Sequence, residues 1–255
     1  MLPFLVGPIA SSDVFGQWER TTAGATTFVV PAGVYAISAV VIGGGSCGRS
    51  GDPFEGGAGG GLHWRNEVPV TPGETLDVVV GRGGVYSGPN VAGLDSYIAR
   101  SATSLLRAGG GNLATLVGLT YAGALGGGGG NGGAGGSGGG GGDGGLGGGA
   151  GGYVGAGGSG ERYATSFGTG YNLPAGGPSS GAGRGGSTPG GPNDVPGGWQ
   201  SRNGEGVGLH GLTGAYGSPI GTQCGNGSFA FDAPPGGVRI IWGGGRSYPS
   251  NAGDL

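Results

Sequence analysis

Residues 126–149 read GGGGGNGGAGGSGGGGGDGGLGGG. Two of every three positions are glycine, and Asn131, Ala134, Ser137, Asp143 and Leu146 occupy the third. After this run the phase slips, and Ala150, Tyr153, Ala156 and Ser159 form a new row. Three residues per turn is the period of the polyproline II helix. Glycine on two of its three rows leaves two faces bare. Neighbouring helices can then approach closely enough for backbone hydrogen bonds between them, the packing called polyglycine II. Such packing satisfies peptide groups that a lone helix of this type leaves to water. The expectation is that residues 126–160 form at least two left-handed helices side by side. Fully extended, that run would span roughly 110 Å at about 3.1 Å per residue. A compact chain of this length is only about 45–50 Å across, so the run must fold back. Residues 181–186 (GAGRGG) and 204–208 (GEGVG) can add to the same stack.

On either side of the glycine-rich region, 108–228, the sequence changes character. Residues 21–107 carry strand signals. Phe28, Val29 and Val30 lead into a turn at Pro31, Ala32 and Gly33, and a strand runs from Val34 to Ile42. Leu62, Trp64, Asn66, Val68 and Val70 alternate with His63, Arg65, Glu67 and Pro69, so period two assigns the first set to one face and His63 to the solvent side. Thr71, Pro72, Gly73 and Glu74 form a turn, with proline at its second position. Thr75 to Val80 returns, so 62–80 reads as a hairpin. Ser96 to Ala99 and Ser104 to Arg107 are weaker strands. Residues 229–255 return to strand sequence, and 1–20 read as an attachment segment. The fold class expected is mainly β: a small antiparallel β-domain plus a stack of polyglycine II helices, with almost no α-helix. Trp64, Val68, Leu76, Val78, Val80, Ile240 and Trp242 are the expected β core. The glycine stack is marginal by itself, because ordering glycine backbone is entropically expensive. Tyr121, Tyr153, Tyr163, Phe167, Tyr171 and Trp199 are the apolar groups available to support it.

Composition narrows the function. Glycine supplies 77 of 255 residues, close to the collagen fraction, but there is no strict G-X-Y period and the 16 prolines are far fewer than a collagen needs. All 11 basic residues are arginine and the net charge is -3, so no basic patch suits a nucleic-acid backbone or an anionic membrane surface. No apolar stretch has the length of a membrane span, and residues 1–10 lack the charged start of a signal peptide. The G-x-S-x-G pattern occurs around Ser46 and Ser137, but in a chain this rich in glycine the match is expected by chance, and no helix follows Ser46. Two histidines, His63 and His210, and dispersed acids give no metal-ligand spacing. The reading is therefore not an enzyme, with no catalytic residue, no metal and no cofactor. Cys47 and Cys224 either bridge, closing a long loop, or stay reduced as in a cytoplasm.

Three segments together resemble the glycine-rich structural proteins of tailed bacteriophages: 28–45 (FVVPAGVYAISAVVIGGG), 59–84 (GGGLHWRNEVPVTPGETLDVVVGRGG) and 237–255 (GVRIIWGGGRSYPSNAGDL). The glycine-rich middle also resembles fibre-tip adhesins built as a polyglycine II sandwich. This chain departs from those adhesins in having a β-region before the stack. The resemblance implies a virion location, with assembly in the host cytoplasm. It leaves two tasks open, a receptor-binding adhesin on a tail fibre or a purely structural piece (capsid decoration, fibre shaft or connector). Implied partners are other virion proteins, through 1–20, further copies of the chain, and a host surface polysaccharide or outer-membrane protein. Two inserts interrupt the glycine-rich sequence, 161–174 (ERYATSFGTGYNLP) and 192–203 (PNDVPGGWQSRN). Aromatic and arginine side chains most often dominate interface energy. Tyr163, Phe167, Tyr171, Trp199 and Arg202 are therefore the expected receptor contacts, with Arg162 and Asp194 as polar support.

Overall fold

The computed structural model describes residues 14–48, 55–86, 92–112, 114, 117–136, 147–160, 207–210 and 232–255. These residues are mainly β, with two antiparallel sheets and one helix of a single turn, α1 (Ala122–Leu125). The strands are β1 (Gly16–Arg20), β2 (Gly24–Val29), β3 (Ala36–Ile42), β4 (Leu62–Pro69), β5 (Thr75–Val80), β6 (Ser96–Arg100), β7 (Thr103–Ala108), β8 (Gly128–Gly130) and β9 (Gly237–Trp242). One sheet has the order β1-β9-β3-β4-β8 and the other β2-β5-β6-β7. The last five residues of the 1–20 segment are thus an edge strand, and the C-terminal strand β9 lies between β1 and β3.

The two turns found in the sequence are present, but they join different sheets. Val34 donates to the Pro31 carbonyl and Glu74 to that of Thr71. Gly33 (φ 79°) and Gly73 (φ 82°) sit at the third position, where a type II turn requires a left-handed residue. β2 and β3 do not pair, and neither do β4 and β5. The expected 62–80 hairpin is instead an arch that carries the chain from one sheet to the other. The two arches lie side by side, because Val30 and Glu74 bond through Val30 N–H to Glu74 O at 2.8 Å, and Gly73 N–H returns to Val30 O at 2.9 Å.

A bulge corrects the second expectation. Ile37 pairs with Val68 but Ala39 pairs with Arg65, so β4 carries one extra residue opposite Ser38. Glu67 takes a left-handed φ of 52° there. One inserted residue reverses the faces of everything beyond it. Val68 and Val70 face the other sheet, in a core with Phe28, Ile37, Ala39, Val41, Leu76, Val78, Val80, Ile98, Leu106, Val238 and Ile240. Leu62 and Trp64 face the opposite way, against Val40, Ile42, Ala150, Tyr153, Leu209, Ile241 and Tyr248. Trp64 is therefore half-buried in a second cluster rather than in the core between the sheets, whereas Trp242 packs against the inter-sheet core. His63 is the converse correction. It is 0 % exposed and lies between the sheets instead of facing solvent.

The five-stranded sheet is consequently buried on both faces. β3 shows this in sequence as AISAVVI, apolar without alternation, as central strands covered on both sides do. Leu76 is fully buried in the inter-sheet core, whereas Val29 on edge strand β2 is 59 % exposed. Leu76→Ala should lower unfolding free energy by about 2–5 kcal/mol, and Val29→Ala by no more than about 0.5 kcal/mol. Denaturant melts followed by far-UV circular dichroism check the pair.

Candidate functional site: a glycine lattice at one end of the sandwich

The described strands β3 to β9 all continue at the same end of the sandwich, five of them into mostly glycine segments and β6 and β9 into short segments with one glycine each. Ile42 pairs with both Leu62 and Gly237, and Leu62 pairs with Gly130. Beyond those residues lie 43–48, 56–61, 233–236 and 131–136. In the second sheet, 81–84, 92–94 and 109–111 extend β5, β6 and β7 in the same way. The segments bond to one another without forming a ladder. Gly43, Gly44 and Gly45 donate to Gly61 (2.9 Å), Leu94 (3.0 Å) and Pro234 (3.2 Å), three different segments from three successive residues. One row of bonds runs Gly43 to Gly61 to Gly109 to Leu119, and another runs Gly59 to Gly133 to Gly149 to Gly158, with N···O distances of 2.7–3.0 Å.

Glycine is required by distance. A Cβ on Gly60 would lie 2.1 Å from the Gly43 carbonyl oxygen, one on Gly59 would lie 2.0 Å from that of Gly149, and one on Gly135 1.9 Å from that of Gly56. Backbone cannot yield at such distances as a flexible side chain can. Gly128–Gly130, the start of the period-three run, is different. It pairs as β8 along β4, with Gly128 against the Trp64 indole. That takes these three residues out of the helical reading.

Side chains complete the lattice where backbone does not reach. Ser46 Oγ accepts the Ala58 N–H at 2.7 Å, Ser96 Oγ that of Gly81 at 2.9 Å, Asp95 that of Gly110 at 3.0 Å, and Asn131 Oδ1 that of Thr120 at 2.8 Å. Cys47 Sγ accepts the Ala233 N–H at 3.2 Å. Ser46 is fully buried, so the G-x-S-x-G match holds a backbone brace. Tyr153, 1 % exposed, stacks on Tyr248 with centroids 5.8 Å apart. Their hydroxyls donate to the Gly208 and Leu209 carbonyls, and Trp64 Nε1 donates to the Tyr153 carbonyl. Burial pushes the Tyr248 phenol well above its ordinary range.

Two charged features support this architecture. Arg239, on β9, is fully buried on the face of the five-stranded sheet away from its partner sheet. Its guanidinium donates to the carbonyls of Ala252 and Gly253, to Gln17 Oε1 and to Asp254, and pairs with Glu19. Arg246 donates to the Gly16 carbonyl, to Gln17 and to Gly253. Burial, then the charge of Arg239, lowers its pKa. The two arginines clamp the C-terminal tail onto β1 and β9, and His210 joins at 3.5 Å from Glu19 and 3.3 Å from Asp254. The composition of the chain gave no sign of this cluster. Its members are scattered singly, and only the β1–β9 register (Glu19 opposite Arg239) unites them.

The second feature is His63. Its Nδ1 accepts the Arg107 N–H at 3.2 Å and its Nε2 donates to the Gly126 carbonyl at 2.8 Å. The neutral ring thereby ties β4 to the backbone of β7 and to the end of α1. Burial lowers its pKa from the ordinary 6.5, outweighing the carbonyls of Gly126 and Arg107, which raise it.

The expected receptor contacts Arg162, Tyr163, Phe167, Tyr171, Asp194, Trp199 and Arg202 lie outside the described residues, as does Cys224. Among the described residues there is no group of three or more His, Cys, Asp or Glu side chains able to hold a metal ion. No helix among them is long and apolar enough to cross a membrane. No protein-family model matches the chain, and no curated protein matches it.

Two outcomes follow from this geometry. Gly60→Ala should destabilise the fold by about 1–3 kcal/mol or more through overpacking. Gly123→Ala in α1, where nothing lies within 4 Å of the added Cβ, should be neutral or slightly stabilising. Paired thermal melts read the difference. For His63, the folded pKa lies below 6.5, so below that pH the unfolded chain takes up a proton that the folded chain does not. Stability is therefore present above 6.5 and lost as pH falls below it. In His63→Gln this share of the pH dependence should disappear, which a denaturant series between pH 7.5 and about 5 would show.

Proposed function

We propose that this chain is a non-catalytic virion protein of a tailed bacteriophage, a tail-fibre or fibre-tip adhesin that attaches the particle to the host surface. Its glycine segments form a stack of polyglycine II helices. The observation that carries the reading is the divergence of the Gly43, Gly44 and Gly45 N–H groups to Gly61, Leu94 and Pro234. Successive residues of a three-residue-per-turn helix point about 120° apart, so each helix in a stack bonds to a different neighbour at each residue. A β-ladder would instead return alternate residues to the same neighbour. The sequence resemblance of 28–45, 59–84 and 237–255 to phage glycine-rich structural proteins supports the location.

In this reading the chain works within a larger assembly, as a homo-oligomer or docked to other virion proteins through residues 1–20. The inserts at 161–174 and 192–203 contact a surface polysaccharide or outer-membrane protein. One observation favours a purely structural role, as decoration, shaft or connector. Tyr153, an aromatic of the glycine-rich region, buries its ring and bonds its hydroxyl internally, so aromatics here can serve packing alone.

Antibody labelling of intact particles, imaged by electron microscopy, should place the protein on the tail fibre; label on no part of the virion would defeat the proposal. Tyr163→Ala, Tyr171→Ala and Trp199→Ala should each leave assembly intact and reduce adsorption to host cells. Normal adsorption in all three, or failed assembly in all three, would instead favour the structural role.

A further inference from the structure

The end of the sandwich away from the lattice holds a cleft of about 230 Å³. Val34, Tyr35 and Ile37 line one side, the bulge residue Glu67 another, and Trp242 with the glycines 243–245 the third. The volume equals roughly eight waters at about 30 Å³ each and falls below the roughly 300–1,000 Å³ of sites for drug-sized ligands. It has room for one six-membered ring and its substituents.

The lining is chemically specific. Tyr35 is 64 % exposed, an aromatic at the first arch, outside the core. Glu67 is turned out of the strand by its left-handed backbone, and among the described residues its carboxylate has no hydrogen-bond or ion-pair partner. Backbone held in such a conformation away from a glycine is strained and concentrates at functional positions. The glycines at 243, 244 and 245 all have positive φ, at 88°, 48° and 75°; the Phe15 ring packs on Gly243 and Gly244, and Gly245 is open. Ser38 and Arg246 complete the lining, whereas Nε1 of Trp242, buried without an acceptor, lies against Gly16 of β1.

We propose that this cleft binds a single pyranose unit. An occupant must donate to the Glu67 carboxylate and also suit the Ser38 hydroxyl and Arg246 guanidinium, which line the cleft as well. An ammonium group meets a like charge in Arg246, and an anion meets one in Glu67. A neutral polyol meets both demands, since each hydroxyl donates and accepts. The apolar C–H face of a sugar ring suits the exposed Tyr35 ring, as apolar walls with a few placed polar groups suit small ligands generally. The site itself stands on this geometry; only the source of the sugar, a host surface polysaccharide, rests on the adhesin reading. The cleft lies at the opposite end from the lattice and involves none of the inserts at 161–174 and 192–203.

The test is a titration of the full-length chain with methyl α- and β-pyranosides of glucose, galactose, mannose and N-acetylglucosamine. Saturation-transfer NMR and tryptophan fluorescence report binding. At least one glycoside should saturate with a dissociation constant near the millimolar range. Tyr35→Ala and Glu67→Gln should each weaken it about tenfold or more, with melting temperatures near wild type because both side chains are exposed. Butylammonium chloride should not compete. Dextran and host lipopolysaccharide, added as competitors, tell whether a polymer unit or only a free sugar enters. No saturation by any glycoside or either polymer, equal binding by Tyr35→Ala, or displacement by butylammonium would overturn the proposal. Each of those results leaves the virion labelling untouched, and absence of the protein from virions leaves the titration valid.

Discussion

A glycine carried into the interior brings a peptide N–H and C=O and no side chain to cover them. Each buried group left unmatched costs about 1–3 kcal/mol, so a glycine-rich interior is stable only where the segments bond to one another. Here they approach so closely that a Cβ would meet a carbonyl oxygen at about 2 Å, as at Gly59, Gly60 and Gly135. The approach and the bonding are one requirement. Strand ends from both sheets enter the lattice together, and the row Gly43, Gly61, Gly109, Leu119 joins extensions of β3, β4 and β7. The lattice therefore fixes how the two sheets stand relative to each other at that end, as the paired arches do at the other.

The five-stranded sheet carries this arrangement because it is covered on both faces. Its inner face meets the second sheet. Its other face meets Ala150, Tyr153, Val207, Leu209, Tyr248 and Ala252, which come from the glycine-rich region and the C-terminal tail. A buried guanidinium such as that of Arg239 is costly unless its donors are met and its charge is balanced. Gln17, Glu19, Ala252, Gly253 and Asp254 meet both needs. The same tail is held again where the Asn66 side chain bonds both N–H and C=O of Tyr248. The last residues of the chain are thus part of the sheet's second covering layer.

The two ends of the sandwich differ in what they offer a partner. The lattice end presents peptide groups and few side chains, which suits stiffness and close packing. The arch end presents Tyr35 and Glu67 around the cleft. In the proposed appendage role, one end gives rigidity and the other can carry recognition with side chains that the fold does not need for its own core.

The secondary-structure class, the turns at Pro31–Gly33 and Thr71–Glu74, and most of the apolar core were legible in the sequence, because period two, type II turn chemistry and β-branched runs are local. The sequence also marked glycines as places where backbone can meet backbone, as Gly133 and Gly149 do. It could not show that β4 and β5 enter different sheets, because a turn of the same type serves a hairpin and an arch. Nor could it show the bulge at Glu67. One extra residue leaves the hydrophobic pattern unchanged on paper and reverses the faces of Leu62, His63 and Trp64 relative to Val68. His63, the arginine clamp and the cleft at Tyr35 all depend on that reversal or on pairings more than a hundred residues apart. They follow from register and sheet assignment, which long-range contacts set and no local pattern records.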